Sequence, residues 1–473
     1  MIGSIAWKNV WRNKKRSLVV ISAVTLGIIS GVLLVGIMEG WVGQRLKDAV
    51  NNEVSHIQIH NNEYLNNEET SLTVGNLQAV TRVVESLDQV SGWVQRTRII
   101  ALVNTPWGNS GLTLFGIDPE REKLVTGIHE KIVPGAGRYP EADSPADILI
   151  SDKTAEMLKL KQYVISDSVM ATLDKDVPRD ILSRLEPIKD VRFRSPKEIR
   201  EALKTLLTGK ELDRHGKRIV EAALDYRIRN KVQVSVSDLE GNPIQGIFRV
   251  CGIYKTTNTG FDQATAFVNA GELARLYGHG EILIHEIAVL LKNIEDAGVV
   301  KEQLSLIPGG NKVRTWKELA PDAAMMVEFM LVYYVIFIGI IMLALAFGII
   351  NTMLMSVLER TRELGMLMSI GMNHKRIFSM IMLETIFLTI VGAITGMLSG
   401  WGITSALGKT GIHFSGWGEG FEAIGYSARV YPVVTLEFIL FTTIMVVVTA
   451  VVSSVWPARK ALKLNPVDAL RTD

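Results

Sequence analysis

The stretch FMLVYYVIFIGIIMLALAFGIINTMLMSVL, residues 329–358, contains no Asp, Glu, Lys or Arg. Three other blocks, residues 17–38, 385–408 and 438–458, are free of these charged residues as well. Each block supplies the roughly 20 consecutive apolar residues that a helix needs to cross the hydrocarbon core of a bilayer. The sequence therefore predicts four membrane helices.

These helices are unevenly spaced, because one long polar insertion separates the first from the second. The predicted fold class is a membrane protein with four transmembrane α-helices and a large α+β extracytoplasmic domain between helices 1 and 2. The predicted boundaries are an elbow at 1–16, helix 1 at 17–38, the α+β domain at 39–328 with an inserted helical subdomain at 162–230, helix 2 with an extended stalk at 329–358, a linker at 359–374, helix 3 at 375–408, a loop at 409–432, helix 4 at 433–457 and a tail at 458–473.

Basic residues predict the orientation of the helices. Lys and Arg cluster in residues 8–16, 360–376 and 459–471, whereas residues 409–437 contain only two of them. The positive-inside bias places both termini and the linker in the cytoplasm and the α+β domain outside it. Residues 17–38 are longer than the apolar region of a signal peptide and are followed by no small-residue cleavage site, so we interpret them as a retained anchor.

Composition excludes some functions. The 473 residues include 51 Lys and Arg against 49 Asp and Glu, and a net charge of +2 gives no indication of nucleic-acid binding. Cys251 is the single cysteine and cannot form an internal disulfide. It lies in the alternating stretch 248–254, which is typical of a strand, so we interpret it as a small buried hydrophobic residue.

Within the insertion the pattern predicts mixed α and β structure. The turn formers in residues 238–243 lie between two alternating stretches, 231–237 and 246–254, and predict an antiparallel pair there. Residues 162–230 differ, since 27 of these 69 residues are Asp, Glu, Lys or Arg. We interpret this part as a helical appendage on the surface, with a docking element for a substrate or soluble partner as the alternative.

Motifs for catalysis are absent from the sequence. Gly408-Lys409-Thr410 resembles the end of a phosphate-binding loop, but Ile403 stands where that loop requires glycine. No His-Glu-x-x-His, paired cysteines or Gly-x-Ser-x-Gly occurs. We therefore predict no catalytic site, no bound cofactor and no metal on this chain, and we expect a partner to supply energy.

The linker has the composition of a docking helix. Residues 359–371 read ERTRELGMLMSIG, and as a helix they would be roughly 20 Å long. Leu364, Leu367 and Met368 would face a groove on another protein, as amphipathic helices do. A helix lying on the lipid surface is the alternative, against which Glu359 and Glu363 argue because that leaflet is anionic.

Three motifs together resemble a known family. They are the linker 359–371 continuing to Glu384, the segment AWKNVWRNKKR at 6–16, and PARKA with NPVDALR at 457–461 and 465–471. They are similar to permeases of the macrolide-exporter, lipoprotein-releasing and cell-division FtsX type. Residues 55–60 (SHIQIH) with Tyr64 and Leu65, and residues 115–120 (FGIDPE), resemble the lipoprotein-releasing branch in particular.

The resemblance implies a permease half that pairs with a second copy or a paralogue and binds a cytoplasmic ABC ATPase dimer, on which ATP and Mg are held. Its extracytoplasmic domain would move when the ATPases close, which is called mechanotransmission. The residues that would couple to the ATPase are Glu359, Arg360, Glu363, Leu364, Gly365, Leu367, Met368 and Gly371. The chain departs from the macrolide exporters in having no fused ATPase domain, and from the lipoprotein-releasing pattern at residues 162–230.

Small residues and one carboxylate mark the membrane helices. Gly27 and Gly31 in the first helix, and Gly392, Gly396 and Gly400 in the third, have the spacing that permits close helix approach. Packing within the chain and a dimer interface are both consistent with this spacing. Glu384 is an intramembrane carboxylate and therefore a candidate functional residue. We favour the interpretation that it reaches the membrane interface or pairs with a basic residue on a neighbour.

The resulting prediction is an ABC transporter permease in the bacterial inner membrane that releases lipoproteins towards the outer membrane. Its partners would include the lipoprotein, membrane lipid and a possible periplasmic lipoprotein carrier. Two alternatives stay open: an ATP-driven regulator of periplasmic cell-wall hydrolases, and an efflux permease for peptides or macrolide-like drugs.

Overall fold

The computed structural model describes residues 2–12, 14–144, 146–278, 281–414, 420–421 and 425–462. The chain forms two compact units. The membrane unit comprises residues 1–45, 325–418 and 427–473, and the α+β unit comprises residues 46–324 with 419–426. Most of the predicted tail at 458–473 lies outside the described residues.

Four helices among the described residues are long and apolar enough to cross a membrane, which confirms that prediction. They are TM1 (Lys14–Asp48), TM2 (Pro321–Glu359), TM3 (His374–Thr410) and TM4 (Leu436–Leu462). Each observed helix is longer than the charge-free block from which it was predicted. The reason is that a helix continues into polar sequence wherever its backbone hydrogen bonds continue.

Two shorter helices belong to the membrane unit. The elbow helix (Ile2–Arg12) precedes TM1, and the linker helix (Thr361–Ser369) lies between TM2 and TM3. The linker helix begins two residues later than predicted. Glu359 is the last residue of TM2, and Arg360 has a non-helical backbone that separates the two helices.

The α+β unit is built on a mixed sheet of ten strands. Its strands are β1 (Ile57–Asn61), β2 (Val90–Asn104), β3 (Asn109–Ile117), β4 (Ile132–Gly137), β5 (Asp147–Ser151), β9 (Lys231–Ser237), β10 (Pro243–Tyr254), β11 (Thr265–Asn269), β12 (Glu286–Leu291) and β13 (Asn311–Thr315). The pairings β2–β3–β11–β5–β10–β9–β2 close a ring of six strands. The β9–β10 pair confirms the predicted hairpin, with Ser237 opposite Pro243.

The ring encloses the main core of the α+β unit. Alternate residues of β2 and β9, among them Ile99, Val103 and Val234, are buried there. Burying this apolar surface supplies the driving force that holds the strands together. Cys251 is buried in β10, and desolvation raises the pKa of its thiol to about 12, as expected for an unreactive side chain.

The insertion at 162–230 is not purely helical, so this prediction was wrong in part. It contains the helices Asp167–Leu173, Arg179–Leu185, Pro196–Leu206 and Lys217–Ala222, and a second sheet of β6 (Lys161–Val164), β7 (Arg192–Phe193) and β8 (Leu224–Tyr226). Leu224 was predicted on a helix but pairs with Tyr163 of β6. A separate hydrophobic core, including Ile199 and Leu203, stabilises this subdomain.

The other helices of the α+β unit connect its strands. They are Tyr64–Asn67, Leu77–Ser86, Pro119–Glu122, Asp152–Met157, Thr259–Ala264, Ala270–Leu276, Ala297–Ser305 and Trp316–Leu319. Several begin at a capping side chain, such as Asp118, which accepts hydrogen bonds from the amides of Glu120 and Arg121.

Candidate functional site

The linker helix ends at a backbone position that favours glycine. Gly371 has φ +91°, its amide donates to the carbonyl of Met368 at 3.0 Å, and the amide of Met372 donates to Leu367 at 3.0 Å. These two bonds form a Schellman motif, which satisfies carbonyls that the end of a helix leaves free. Gly371, predicted as a coupling residue, therefore has a structural role in terminating the linker helix.

One face of the linker helix is buried in its own chain. Leu364 is 2% exposed within the core of the four membrane helices, and Gly365 is buried beside it. Leu367 and Met368 are partly buried against the same core. The prediction that Leu364 faces a groove on a partner was therefore wrong, whereas for the partly buried Leu367 and Met368 it stays a prediction. Their apolar character is explained by packing inside the membrane unit.

The opposite face of the linker helix is exposed. Met366 is 52% exposed and Ile370, which follows the last helical residue, is 79% exposed. Arg362 lies one turn before Met366 and is exposed as well. These three residues, at spacing i, i+4 and i+8, lie on one side of a helix. They form an exposed stripe that is available to another protein.

A chain of ion pairs fixes the linker helix in place. Arg12 of the elbow helix donates to Glu363 of the linker helix. Arg360 Nε donates to Glu363 Oε2 at 3.1 Å, and Arg360 Nη1 donates to Glu384 Oε2 of TM3 at 2.9 Å. Burial opposes the charge on Glu363, but the hydrogen bonds from Arg360 and Arg12 outweigh it and lower the pKa of this carboxyl group.

We name these four residues, Arg12, Arg360, Glu363 and Glu384, the arginine–glutamate chain. It joins three helices of the membrane unit, and its inner end is shielded, since the Glu384 side chain is 2% exposed. Glu384 pairs with a basic residue, as we favoured. Glu359, predicted as part of the same contact surface, is exposed and lies outside the arginine–glutamate chain.

The five membrane glycines contact helices of the same chain. A methyl group at Gly392 would lie 2.8 Å from Val24 Cβ, and one at Gly396 would lie 2.9 Å from Ile28 Cβ. Both positions thus bring TM3 against TM1. In TM1, Gly31 faces TM4 and Gly27 faces TM2, while Gly400 contacts Val32 less closely, at 3.4 Å. The spacing of these glycines is explained by packing within the membrane unit.

The segments that resemble lipoprotein-releasing permeases are mostly buried in the α+β unit, although Asp118 and Glu120 of the second segment are exposed. His60 is 1% exposed, and its ring stacks on that of Tyr64 with centroids 5.8 Å apart. In the second segment Phe115 is buried, and a side chain at Gly116 would collide with Thr97 Cβ at 2.9 Å. The likeness at the buried positions therefore concerns packing of the domain.

Beside His60 lies a buried cluster of charges that the sequence did not reveal. Arg96 of β2 donates to both carboxylate oxygens of Glu122, at 3.2 and 2.6 Å, and to Glu286 at 2.5 Å. Burial, opposed by the charge of Glu286, lowers the pKa of His60 to about 4. Glu286 is buried as well, but the charge of Arg96 outweighs desolvation and lowers the pKa of this carboxyl group. These contacts tie β2 to β12.

The described part of the chain contains no group of three or more His, Cys, Asp or Glu side chains placed to hold a metal ion. Its four apolar helices and large α+β unit define the class as a polytopic membrane protein. Residues 335–466, from TM2 into the tail, match the family model described as FtsX-like permease C-terminal. This stretch carries the linker helix and most of the arginine–glutamate chain.

Two relatives show the same similarity. The chain is 36% identical over 124 residues to the macrolide export ATP-binding/permease protein MacB of Chlorobium luteolum, covering 26% of this chain and 16% of the relative. It is 28% identical over 233 residues to the uncharacterized ABC transporter permease MJ1507 of Methanocaldococcus jannaschii, covering 47% of this chain and 55% of the relative. The matched segments thus span less than two thirds of either relative.

Among solved structures, the extracellular domain of the noncanonic ABC-type transporter YknZ from Gram-positive bacteria aligns with a TM-score of 0.28 and 12% identity. The alignment covers 55% of this chain and 99% of the YknZ domain. A score of this size supports no structural assignment. The similarity to ABC transporter permeases therefore rests on sequence, above all on residues 335–466.

Proposed function

We propose that this chain is the permease subunit of an ABC transporter and that its linker helix docks on a separate ATPase subunit in the cytoplasm. The observation that carries the proposal is the two-sided linker helix. Leu364 anchors one face in the membrane unit, and the arginine–glutamate chain holds it to the elbow helix and TM3. Arg362, Met366 and Ile370 leave the other face open to a partner.

A helix held in this way can transmit force. Because the elbow helix and TM3 hold it, a displacement of the linker helix moves the membrane unit with it instead of bending a loose loop. TM2 has 39 residues and a length of roughly 58 Å, well beyond the roughly 30 Å hydrocarbon core. It connects the linker helix covalently to the α+β unit, so ATP-driven movement reaches that unit by mechanotransmission.

The docking face is tested by placing a charge on it. Ile370→Asp should reduce the amount of ATPase subunit that co-purifies with the chain by about tenfold or more, since a buried unpaired carboxylate costs more than 1.4 kcal/mol. Leu306→Asp is the matched control, because Leu306 is 84% exposed in the α+β unit. Equal recovery of ATPase with Ile370→Asp and the unchanged chain would refute docking on this face.

Glu363→Gln tests coupling as distinct from docking. It breaks the link between the elbow helix and the linker helix without touching the exposed face. We expect the complex to assemble and bind ATP but to lose export. Unchanged export would show that the arginine–glutamate chain is not needed for transmission.

For the cargo we propose lipoproteins released from the inner membrane towards the outer membrane. The support is the resemblance of residues 55–60 and 115–120 to lipoprotein-releasing permeases. Efflux of a macrolide-like compound or peptide is the second candidate, supported by the similarity to a macrolide export protein. The resemblance to FtsX-type permeases leaves control of a cell-wall hydrolase as a third.

Depletion of the protein in its host separates these functions. Lipoproteins that accumulate in the inner membrane fraction would support release. Correct lipoprotein location with increased drug sensitivity would overturn it in favour of efflux. Correct location with defective septation would overturn it in favour of hydrolase control.

A further inference from the structure

A narrow apolar groove runs between TM2 and TM4. Its volume is about 500 Å³. Leu331, Val335 and Gly339 of TM2 line one side, and Phe441 and Met445 of TM4 line the other. Leu331, Val335 and Phe441 are each more than half exposed in the chain. In a membrane, the groove is open to the hydrocarbon tails of lipids.

The length and the apolar lining of the groove fit an acyl chain. On TM4 it extends from Glu437 to Thr449, a rise of roughly 18 Å at 1.5 Å per residue. That is close to the depth of one leaflet, half of the roughly 30 Å hydrocarbon core. One hydrocarbon chain lying along the groove would contact its apolar lining over this whole length.

The Tyr334 and Thr449 hydroxyls of the groove are hydrogen-bonded within the chain, whereas the Glu437 carboxylate is placed to meet a ligand. The Tyr334 hydroxyl donates to Glu39 at 2.6 Å, and the Thr449 hydroxyl donates to the carbonyl of Met445 at 2.8 Å. Glu437 is the only charged residue of the lining, is exposed in the first turn of TM4, and forms no ion pair with the described residues. A carboxylate at the mouth of an apolar groove attracts a cationic head group.

We propose that this groove binds one phospholipid with an ammonium head group, of the phosphatidylethanolamine type, as a resident ligand. One acyl chain lies between TM2 and TM4, and the ammonium group meets Glu437. The lipid fills space that the two helices leave open and so stabilises their packing. This inference rests on the helices crossing a membrane and does not depend on the cargo or on the ATPase.

Lipid binding in the groove can be tested at one glycine of TM2, with a second glycine of the same helix as the control. Neither Gly339 nor Gly348 has an atom within 4 Å of the position that a Cβ would occupy, so both accept a larger side chain. Only Gly339 lines the groove. The full chain is purified from vesicles of equimolar phosphatidylethanolamine and phosphatidylglycerol, and the retained phospholipids are counted by native mass spectrometry.

We expect about one phosphatidylethanolamine per unchanged chain, at least about tenfold less on Gly339→Leu, and no change on Gly348→Leu. Glu437→Gln should keep a lipid but lower the preference for phosphatidylethanolamine about fivefold, which corresponds to about 1 kcal/mol for one head-group charge. Equal retention by Gly339→Leu and the unchanged chain would overturn the proposal. So would an unaltered lipid preference in Glu437→Gln, a variant that leaves the packing intact.

Discussion

Neutralising Glu384 tests whether the linker helix is fixed to the membrane unit. Glu384→Gln keeps the size of the side chain but removes the charge that meets Arg360 Nη1 at 2.9 Å. The two side chains are 2% and 15% exposed, so water screens their interaction poorly. Arg360 retains its bond to Glu363 at 3.1 Å. The variant therefore loses one of the two ion pairs of Arg360, since a neutral amide oxygen replaces the carboxylate.

The size of the effect follows from this geometry. Removing one partner of a fully buried ion pair typically costs about 3–5 kcal/mol. Because Arg360 is partly exposed and keeps Glu363, we expect about 2 kcal/mol, within the range of a hydrogen bond to a charged group. A loss of about 2 kcal/mol changes the equilibrium between docked and open linker helix about 30-fold.

Hydrogen exchange measured by mass spectrometry reports this opening directly. With the full chain in lipid nanodiscs, the amides of Thr361–Ser369 should exchange about 30-fold faster in Glu384→Gln. Glu359→Gln is the control, because Glu359 is exposed and lies next to Arg360 without belonging to the arginine–glutamate chain. Exchange within about twofold of the unchanged chain would refute the view that this pair holds the linker helix.

Further predictions concern packing, pH and the inserted subdomain. Gly392→Ala should cost about 1–3 kcal/mol and lower the thermal midpoint, because its methyl group meets Val24, whereas Gly400→Ala should change it little. The pKa of His60 in the folded chain is about 4, below its ordinary value of 6.5, so the unfolded chain binds more protons between these two pH values. The free energy of unfolding therefore falls as the pH drops from 6.5 to about 4. Thermal melts of His60→Gln should show a weaker dependence on acid pH. Replacing residues 165–222 with Asn-Gly should leave the melting of the rest unchanged, since β6 and β8 already pair at that point.

The membrane helices were predictable because the absence of charge over about 20 residues is a local property of the sequence. The strand Lys231–Ser237 was also predicted at its observed bounds. Closure of the ring was not predictable. It depends on Val103 pairing with Val234, and alternating sequence does not specify which distant strand lies alongside.

What the apolar face of the linker helix packs against could not be predicted from the sequence. Its amphipathic pattern predicted a helix with one apolar face, but periodicity is the same whether that face packs on a partner or on the chain itself. Leu364 does the latter. The bond from Arg12 to Glu363 joins residues 351 positions apart, and neither residue carries a local signal for the other.

The buried residues of the segments that resemble lipoprotein-releasing permeases build the α+β unit and do not select its cargo. Ser55 donates to the carbonyl of Val289 at 2.9 Å, and the Tyr64 hydroxyl donates to that of Arg98 at 2.5 Å, so the first segment holds neighbouring strands together. Side chains used in this way contact no cargo while the domain is folded. A transporter with different cargo would need the same residues to build the same sheet. Selection among lipoprotein, drug and peptide must therefore depend on exposed groups, which in these motifs are Asp118 and Glu120, or on other exposed surfaces of the α+β unit and the membrane helices.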